Sequence, residues 1–250
     1  MIKAATIDEV ISHLDNIIEW SKHKKSRIGY FATLYRKMTI AVKKGIAQNS
    51  FADGKRMEAL DIIFANRYLQ AWEAYVNKQK CTSAWCAAFD ASDANSLIVL
   101  QHLVLGINTH INLDLGIAAA EACPGDKIHE LQEDFDKING VISSLMQTVQ
   151  DDLTEVWQPL KFLAKIANRR QEALLNFSIN VARRVSWQNA VKLSAANESA
   201  KEEHINCMDE TVVVLADRII NPGLGARLLL WPVLTMESKN VPDIINLLYH

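Results

Sequence analysis

The feature that most constrains the fold is a run of 19 residues, Asn95–Leu113, that contains no Asp, Glu, Lys or Arg. Its sequence, NSLIVLQHLVLGINTHINL, nevertheless holds two histidines, three asparagines and a glutamine, and Asp114 follows directly. A solvent-exposed helix would carry charged residues, and a membrane-spanning helix would exclude most of these amides. The run therefore predicts a central helix, at about residues 95–120, that is buried among other helices with its polar groups facing inward.

Composition and residue spacing together predict an all-α protein. The 250 residues include only 9 glycines and 5 prolines, and no stretch alternates β-branched and polar residues as a half-buried strand would. Apolar residues instead recur at helical spacing behind N-cap residues. We predict helices from Ile7 to about Lys22, over roughly Ile28–Ala47, from an Asp53 cap to about Val76, and around Ser83–Phe89. The expected fold is a compact multi-helix bundle around the central helix.

The whole chain, residues 1–250, is expected to form one helical domain. Residues 1–152 carry the polar central helix, and 153–250 are predicted to form a basic helical part that packs on it. The basic residues of that part include Lys161, Lys165, Arg169, Arg170, Arg183, Arg184 and Lys192. Neighbouring arginines on a helix face different directions, so these pairs are expected to be solvated. Because the net charge of the chain is only -2, nucleic acid is not expected as a partner.

The expected compartment is the cytoplasm. The first residues lack the apolar core and cleavage site of a secretory signal, and no stretch is expected to span a bilayer. The four cysteines, Cys81, Cys86, Cys123 and Cys207, show no C-x-x-C spacing. We interpret them as free thiols that serve as packing residues, as is common in a reducing compartment. The oligomeric state is left open.

Residues four apart along the central helix form a polar line. On an α-helix residues i and i+4 lie nearly above one another, which places His102, Gly106, His110 and Asp114 on one side. His110 and Asp114 can direct lone pairs at one point, as helical metal sites do. Gly106, which has no side chain, is expected to leave an open notch where a ligand approaches.

Other polar residues extend this candidate site. Asn108 and Asn112 form a second polar line on another side of the same helix, and we predict that they bind substrate. On the third predicted helix, Asp61 shares a stripe with apolar residues and is therefore expected to point inward. Arg67 and Tyr68 on that helix are candidates for orienting an anionic or aromatic substrate.

The leading interpretation is a metal-dependent hydrolase of a small ester or phosphoester. His110, Asp114 and Asp61 would hold a divalent ion such as zinc, iron or manganese, with His102 and Asp61 as catalytic groups. Asp134, at helical spacing from apolar neighbours, is a further candidate acid. A competing interpretation makes the same groups a buried hydrogen-bonded network that fixes the register of the helices.

Two other functions remain open on the sequence alone. The protein can be a non-catalytic module that binds a small molecule or lipid in a helical pocket, where the Asn and His groups orient its polar end. It can also be a structural scaffold that binds a partner through its basic C-terminal helices.

Five segments between residues 28 and 150 resemble a bacterial family known only as an uncharacterised, all-helical domain of unknown function. They are GYFATLYRKMT, MEALDIIFANRY, SAWCAAF, LQHLVLGINTHINLDLGIAAA and DFDKIN. The stretch with the pattern LQHLxLGINxHINLDLG is too long and specific to arise from helical composition. The resemblance implies no activity. It does imply that hallmark segments of the family contain Asp61, His102, Asn108, His110, Asn112 and Asp114.

Overall fold

The structure is a computed structural model that describes residues 2–138, 140 and 179–249. Within these ranges the chain is helical and contains no strand, so the predicted all-α bundle is confirmed. The helices are α1 (Ile7–Lys24), α2 (Ile28–Ala47), α3 (Gly54–Val76), α4 (Ser83–Asp90), α5 (Val99–Thr109), α6 (Gly116–Ala122), α7 (132–138), α8 (179–195), α9 (Glu198–Ile220), α10 (Leu224–Met236) and α11 (Val241–Tyr249). For α7 and α8 only the described parts are given.

The predicted N-caps begin the first and third helices. The Thr6 hydroxyl accepts a hydrogen bond from the Glu9 N–H at 3.2 Å, and the Asp53 carboxylate accepts one from the Arg56 N–H at 3.0 Å. Both bonds satisfy backbone donors that the first turn of a helix leaves without a partner. Helix α1 ends at Lys25, whose φ of 53° places it in the left-handed conformation common after helices.

The central helix is a continuous rod made of three consecutive segments, of which the middle one is π-helical. Helix α5 passes into a π-helical segment, His110–Leu115, which passes into α6. A π segment adds one residue to a turn, and such segments are frequent at functional sites. The rod packs against α2, α3, α4 and α9, so helices surround it. The predicted burial of this segment is confirmed.

By length and composition alone, Val99–Ala122 is apolar enough to cross a membrane, contrary to the expectation from the sequence. Its apolar window is 83% buried within the protein, however, as the core helix of a soluble domain would be. Helices α9 and α10 are long and apolar enough to cross a membrane only when they are counted together as one bent span. These observations are weak evidence for a membrane span.

Gly106 serves helix packing, and the predicted open notch beside it is wrong. A Cβ atom at this position would lie 2.3 Å from Cγ of Phe31 on α2. Real Cβ contacts are never so short, so the aromatic ring of Phe31 occupies the space that a side chain would need. The glycine therefore allows α2 to approach the central helix closely.

Cysteine usage also differs from the expectation. Cys81 and Cys86 form a disulfide at the start of α4, and Cys207 is exposed, so only Cys123 is a buried free thiol. Disulfides are rare in reducing compartments. The prediction of a cytoplasmic protein remains a prediction, and this bond counts against it.

Candidate functional site

Asp114 lies at the centre of a fully paired polar cluster. Its carboxylate is 1% exposed, and it accepts hydrogen bonds from Arg67 Nε at 2.8 Å, from Trp85 Nε1 at 2.8 Å and from the His110 ring at 3.2 Å. Burial alone would raise the pKa of Asp114. The Arg67 charge and the hydrogen bonds from His110 and Trp85 outweigh burial, so the pKa lies below its usual value and the group is ionised.

His110 is held by Asp114 in one tautomer. Because the ionised carboxylate accepts, His110 Nδ1 carries the proton and Nε2 is left as an acceptor. Nε2 is buried and has no hydrogen-bond partner in residues 2–138, 140 and 179–249. The ring stacks on Phe64 with centroids 3.6 Å apart, and Tyr35 meets it edge-on at 4.4 Å. Burial lowers the pKa of His110, so the ring is neutral near pH 7.

A cavity of about 90 Å³ opens beside His110, between α2, α3, the central helix and α8. Its wall is mainly apolar and includes Phe31, Leu34, Met38, Leu60, Phe64 and Leu115. Four polar side chains also line it, namely Tyr35, Asp61, His110 and Arg183. Each has a buried side-chain atom without a hydrogen-bond partner among the described residues: Tyr35 OH, Asp61 Oδ2, His110 Nε2 and Arg183 Nε.

Asp61 points inward, as its position in the sequence predicts. Burial, with a smaller contribution from the charge of Glu58, raises the pKa of Asp61 to about 7. Near neutral pH this carboxyl group is therefore partly protonated, and it can donate or accept a hydrogen bond in the cavity.

Arg183 is the functional residue that sequence reasoning missed, because it was expected to be solvated like its neighbour. Arg184 is exposed, but Arg183 is only 4% exposed. Its Nη2 donates to the Phe135 carbonyl, and its guanidinium lies 4.4 Å from the centroid of the Phe135 ring. The sequence does contain a pattern that predicts this burial. Ile179, Ser186 and Ala190 are at helical spacing from Arg183 and mark the inner face of α8.

The predicted metal ligands are only partly brought together. His110 and Asp114 are in contact, and Asp61 lines the cavity beside His110. In the part of the chain that the structure describes, no three His, Cys, Asp or Glu side chains form a group that could hold a metal ion. Both Asp114 oxygens already accept hydrogen bonds, one of them from the cation Arg67. The metal centre stays a prediction, and this arrangement does not favour it.

Comparison with known proteins supports the resemblance found in the sequence. The chain matches a family described as a family of unknown function, DUF5995, over residues 7–222. The chain belongs to this family. Neither the curated proteins nor the solved structures contain a significant match. The segments that resemble the family in the sequence all lie before residue 150. The match to DUF5995 extends beyond them and includes α8 with Arg183.

His102 lies apart from the other residues of its predicted line. It borders a different, smaller pocket together with Arg27, Tyr30 and Glu237. Burial, and secondarily the charge of Arg27, lowers the pKa of His102 to about 3. The catalytic role predicted for His102 stays a prediction, and this arrangement does not favour it, because His102 does not line the cavity that His110 and Asp61 share.

The predicted substrate-binding residues also have other roles. Asn112 donates to Asn108 at 3.0 Å, and Asn108 donates to the Val212 carbonyl of α9 at 3.2 Å. These amides thus join the central helix to α9, and they border a groove on that side of the rod. Arg67 pairs with Asp114. Tyr68 is fully buried between Phe31 and Trp85 and does not line the cavity.

Asp134 is a structural residue. It is fully buried and accepts hydrogen bonds from the backbone of Ala52 and Asp53 and from Arg56. These bonds and the nearby Lys137 outweigh the effect of burial and lower the pKa of Asp134. The carboxylate thereby anchors α7 to the turn before α3.

Proposed function

We propose that this protein binds a small, largely apolar molecule in the cavity beside His110. The observation that carries the proposal is the group of unpaired polar atoms on an apolar wall, on Tyr35, Asp61, His110 and Arg183. A buried polar atom without a partner costs roughly 1 to 3 kcal/mol, and native proteins keep few of them. Several in one cavity are what a binding site needs, because a ligand can supply their partners.

The size of the cavity limits the ligand. One water-sized group needs roughly 10 to 15 Å³ of such volume. A cavity of about 90 Å³ therefore accommodates roughly six to nine non-hydrogen atoms. A long-chain lipid would exceed this volume, so the supported class is a short-chain or single-ring molecule.

A cavity-filling variant tests the proposal. Hexan-1-ol serves as the probe, and Leu34→Trp fills the cavity from its wall. Because a ligand that binds only the folded state stabilises it, millimolar hexan-1-ol is expected to raise the melting temperature of the wild type and not that of Leu34→Trp. Leu228→Trp, on an exposed position of α10, is the matched control and should respond like the wild type. An equal response in all three proteins, or none in the wild type, would overturn the proposal.

A second candidate function is hydrolysis of a small ester, and the Asp114–His110 pair favours it. A carboxylate that fixes the tautomer of a histidine and leaves its Nε2 as a free acceptor, in a ring that lines a cavity, is the arrangement of a general base. His110 would take a proton from water, whose oxygen attacks the ester carbonyl. The C–O bond to the alcohol then breaks, and the proton passes to the leaving alcohol.

Hydrolysis of ethyl acetate, which is small enough for the cavity, tests this second candidate and is followed by titration of the released acid. The wild-type rate is expected to exceed the buffer rate by about 100-fold, which is the low end for general-base catalysis. His110→Gln should fall to the buffer rate, and His129→Gln, at an exposed position, should not. Activity that EDTA abolishes and zinc or manganese restores would favour the metal-dependent route through His110, Asp114 and Asp61. A rate that is equal in wild type and His110→Gln would remove both routes.

A further inference from the structure

The charge of Arg183 identifies the chemical class of ligand that the cavity accepts. Burial lowers the pKa of Arg183 to about 10, which still leaves the guanidinium charged near pH 7. Within the described ranges no carboxylate lies within ion-pair distance of it. In the part of the chain that the structure describes, it contacts the carbonyl and the ring of Phe135, and its Nε has no hydrogen-bond partner.

The half-buried arginines among the described residues show how this fold treats such a charge. Arg36 pairs with Asp15, Arg56 pairs with Asp134 and Arg67 pairs with Asp114, whereas Arg27 donates to the Ser92 carbonyl and to the Asn95 side chain. Buried charges in proteins are generally paired, because removing an ion from water is costly. Arg183 is more buried than any of these four, and within the described ranges it has no carboxylate partner. It therefore stands out there as the most buried arginine without a counter-charge.

The acids near Arg183 do not neutralise it. Asp136 attracts the guanidinium electrostatically but is exposed and forms no ion pair with it. Asp134 is engaged with Arg56. Asp61 lines the same cavity, but at a pKa of about 7 it is largely protonated in mildly acidic solution. The interior of the cavity is thus positively charged below neutral pH.

We infer that the ligand is a small monocarboxylate whose carboxylate pairs with Arg183 and whose hydrocarbon part lies along the apolar wall. This inference rests on the proposed binding function. A guanidinium presents planar N–H donors that match a carboxylate, and Nε is the donor left available here. Because one guanidinium balances one negative charge, the ligand is expected to carry a single carboxylate. Met38, Val42 and Leu115 offer an apolar surface to the rest of the molecule.

Hexanoate and hexan-1-ol are matched probes for this inference, because they have similar chains and differ in charge. Isothermal titration calorimetry at pH 6.5 is expected to show that wild-type protein binds hexanoate at least tenfold more tightly than hexan-1-ol. In Arg183→Met the affinity for hexanoate should fall at least tenfold while hexan-1-ol still binds. Arg184→Met changes the exposed neighbour and should bind both probes like the wild type.

The possible results distinguish a failure of the proposed ligand class from a failure of the proposed binding function. Equal affinities for both probes in wild type, or hexanoate affinity unchanged in Arg183→Met, would overturn the role of Arg183 but leave the cavity as a binding site. No binding of either probe to wild type would overturn the binding function itself. Arg183→Met removes an unpaired buried charge, so its melting temperature should not fall. If it does fold poorly, Arg183→Gln provides the same comparison with a polar side chain.

Discussion

Two polar clusters meet at His110, and they differ in one respect. On one side Asp114 forms hydrogen bonds with Arg67 and Trp85 as well as with His110. On the other side, in the cavity, Asp61 and Arg183 keep buried atoms without partners among the described residues. Asp114 and Asp61 are both buried, so burial alone does not distinguish the two clusters. The difference teaches that a buried charge with its partners in place holds helices together, whereas a buried charge without partners indicates a site for a ligand.

Removing the charge of Asp114 should have the largest effect on stability. Asp114→Asn leaves Arg67 without its counter-charge and weakens the bonds from Trp85 and His110. Breaking a buried pair in this way costs about 3 kcal/mol or more, and we expect a loss of that size in the free energy of unfolding measured with urea. Asp126→Asn, on an exposed residue, should change it by less than about 0.5 kcal/mol. A small loss in Asp114→Asn would mean that this cluster does not support the fold.

Removing the charge of Asp61 should have the opposite effect on stability, and this effect depends on pH and disappears near pH 4. The pKa of Asp61 is about 7 in the folded protein and about 3.9 in an unfolded chain. The folded state therefore holds a proton that the unfolded state has released, and stability falls as pH rises from about 4 to 7.

Asp61→Asn removes this dependence, because the amide stays neutral. At pH 8 the variant is expected to be more stable than wild type by up to about 4 kcal/mol, because the two pKa values differ by about 3 and each pKa unit corresponds to about 1.4 kcal/mol, and near pH 4 the two proteins should nearly agree. Unfolding curves in urea across this pH range measure the difference, with Asp136→Asn as the exposed control. Parallel pH profiles for wild type and Asp61→Asn would show that Asp61 is paired in the folded protein.

The smallest effect is expected for a hydroxyl group in the cavity. Among the described residues Tyr35 OH has no hydrogen-bond partner, so Tyr35→Phe removes an unsatisfied group and should raise the free energy of unfolding by about 1 kcal/mol. Tyr75 OH donates to Asp90 at 2.9 Å, so Tyr75→Phe should cost about 0.5 to 1 kcal/mol. A larger loss in Tyr35→Phe than in Tyr75→Phe would reverse the assignment of the two hydroxyls.

Local sequence signals were sufficient for much of the fold. Helix α2 was predicted over Ile28–Ala47 and α3 from the Asp53 cap to Val76, as the structure has them. Capping side chains and apolar periodicity act within a few residues, so they can be read from the sequence. The burial of Asp61 and of the central helix follows from the same periodicity.

The candidate site depended on contacts between distant parts of the chain. Trp85 reaches Asp114 from another helix, and Phe31 fills the space beside Gly106. Arg183 turns inward while its neighbour Arg184 turns outward. No spacing rule within one helix specifies which side chain from another helix will arrive, and for this reason the sequence identified the acids and histidines but not their partners.

The π segment His110–Leu115 also constrains how this chain can change in length. A π turn holds about one residue more than an α turn, so a single deletion within it would restore an ordinary α-helical turn and leave the following helix in nearly its present orientation. The same deletion in the α-helical part of the central helix would instead rotate Ala118 and Ala119, which now face the interior, by about 100° relative to α5. The π segment therefore marks where the central helix tolerates the loss of one residue.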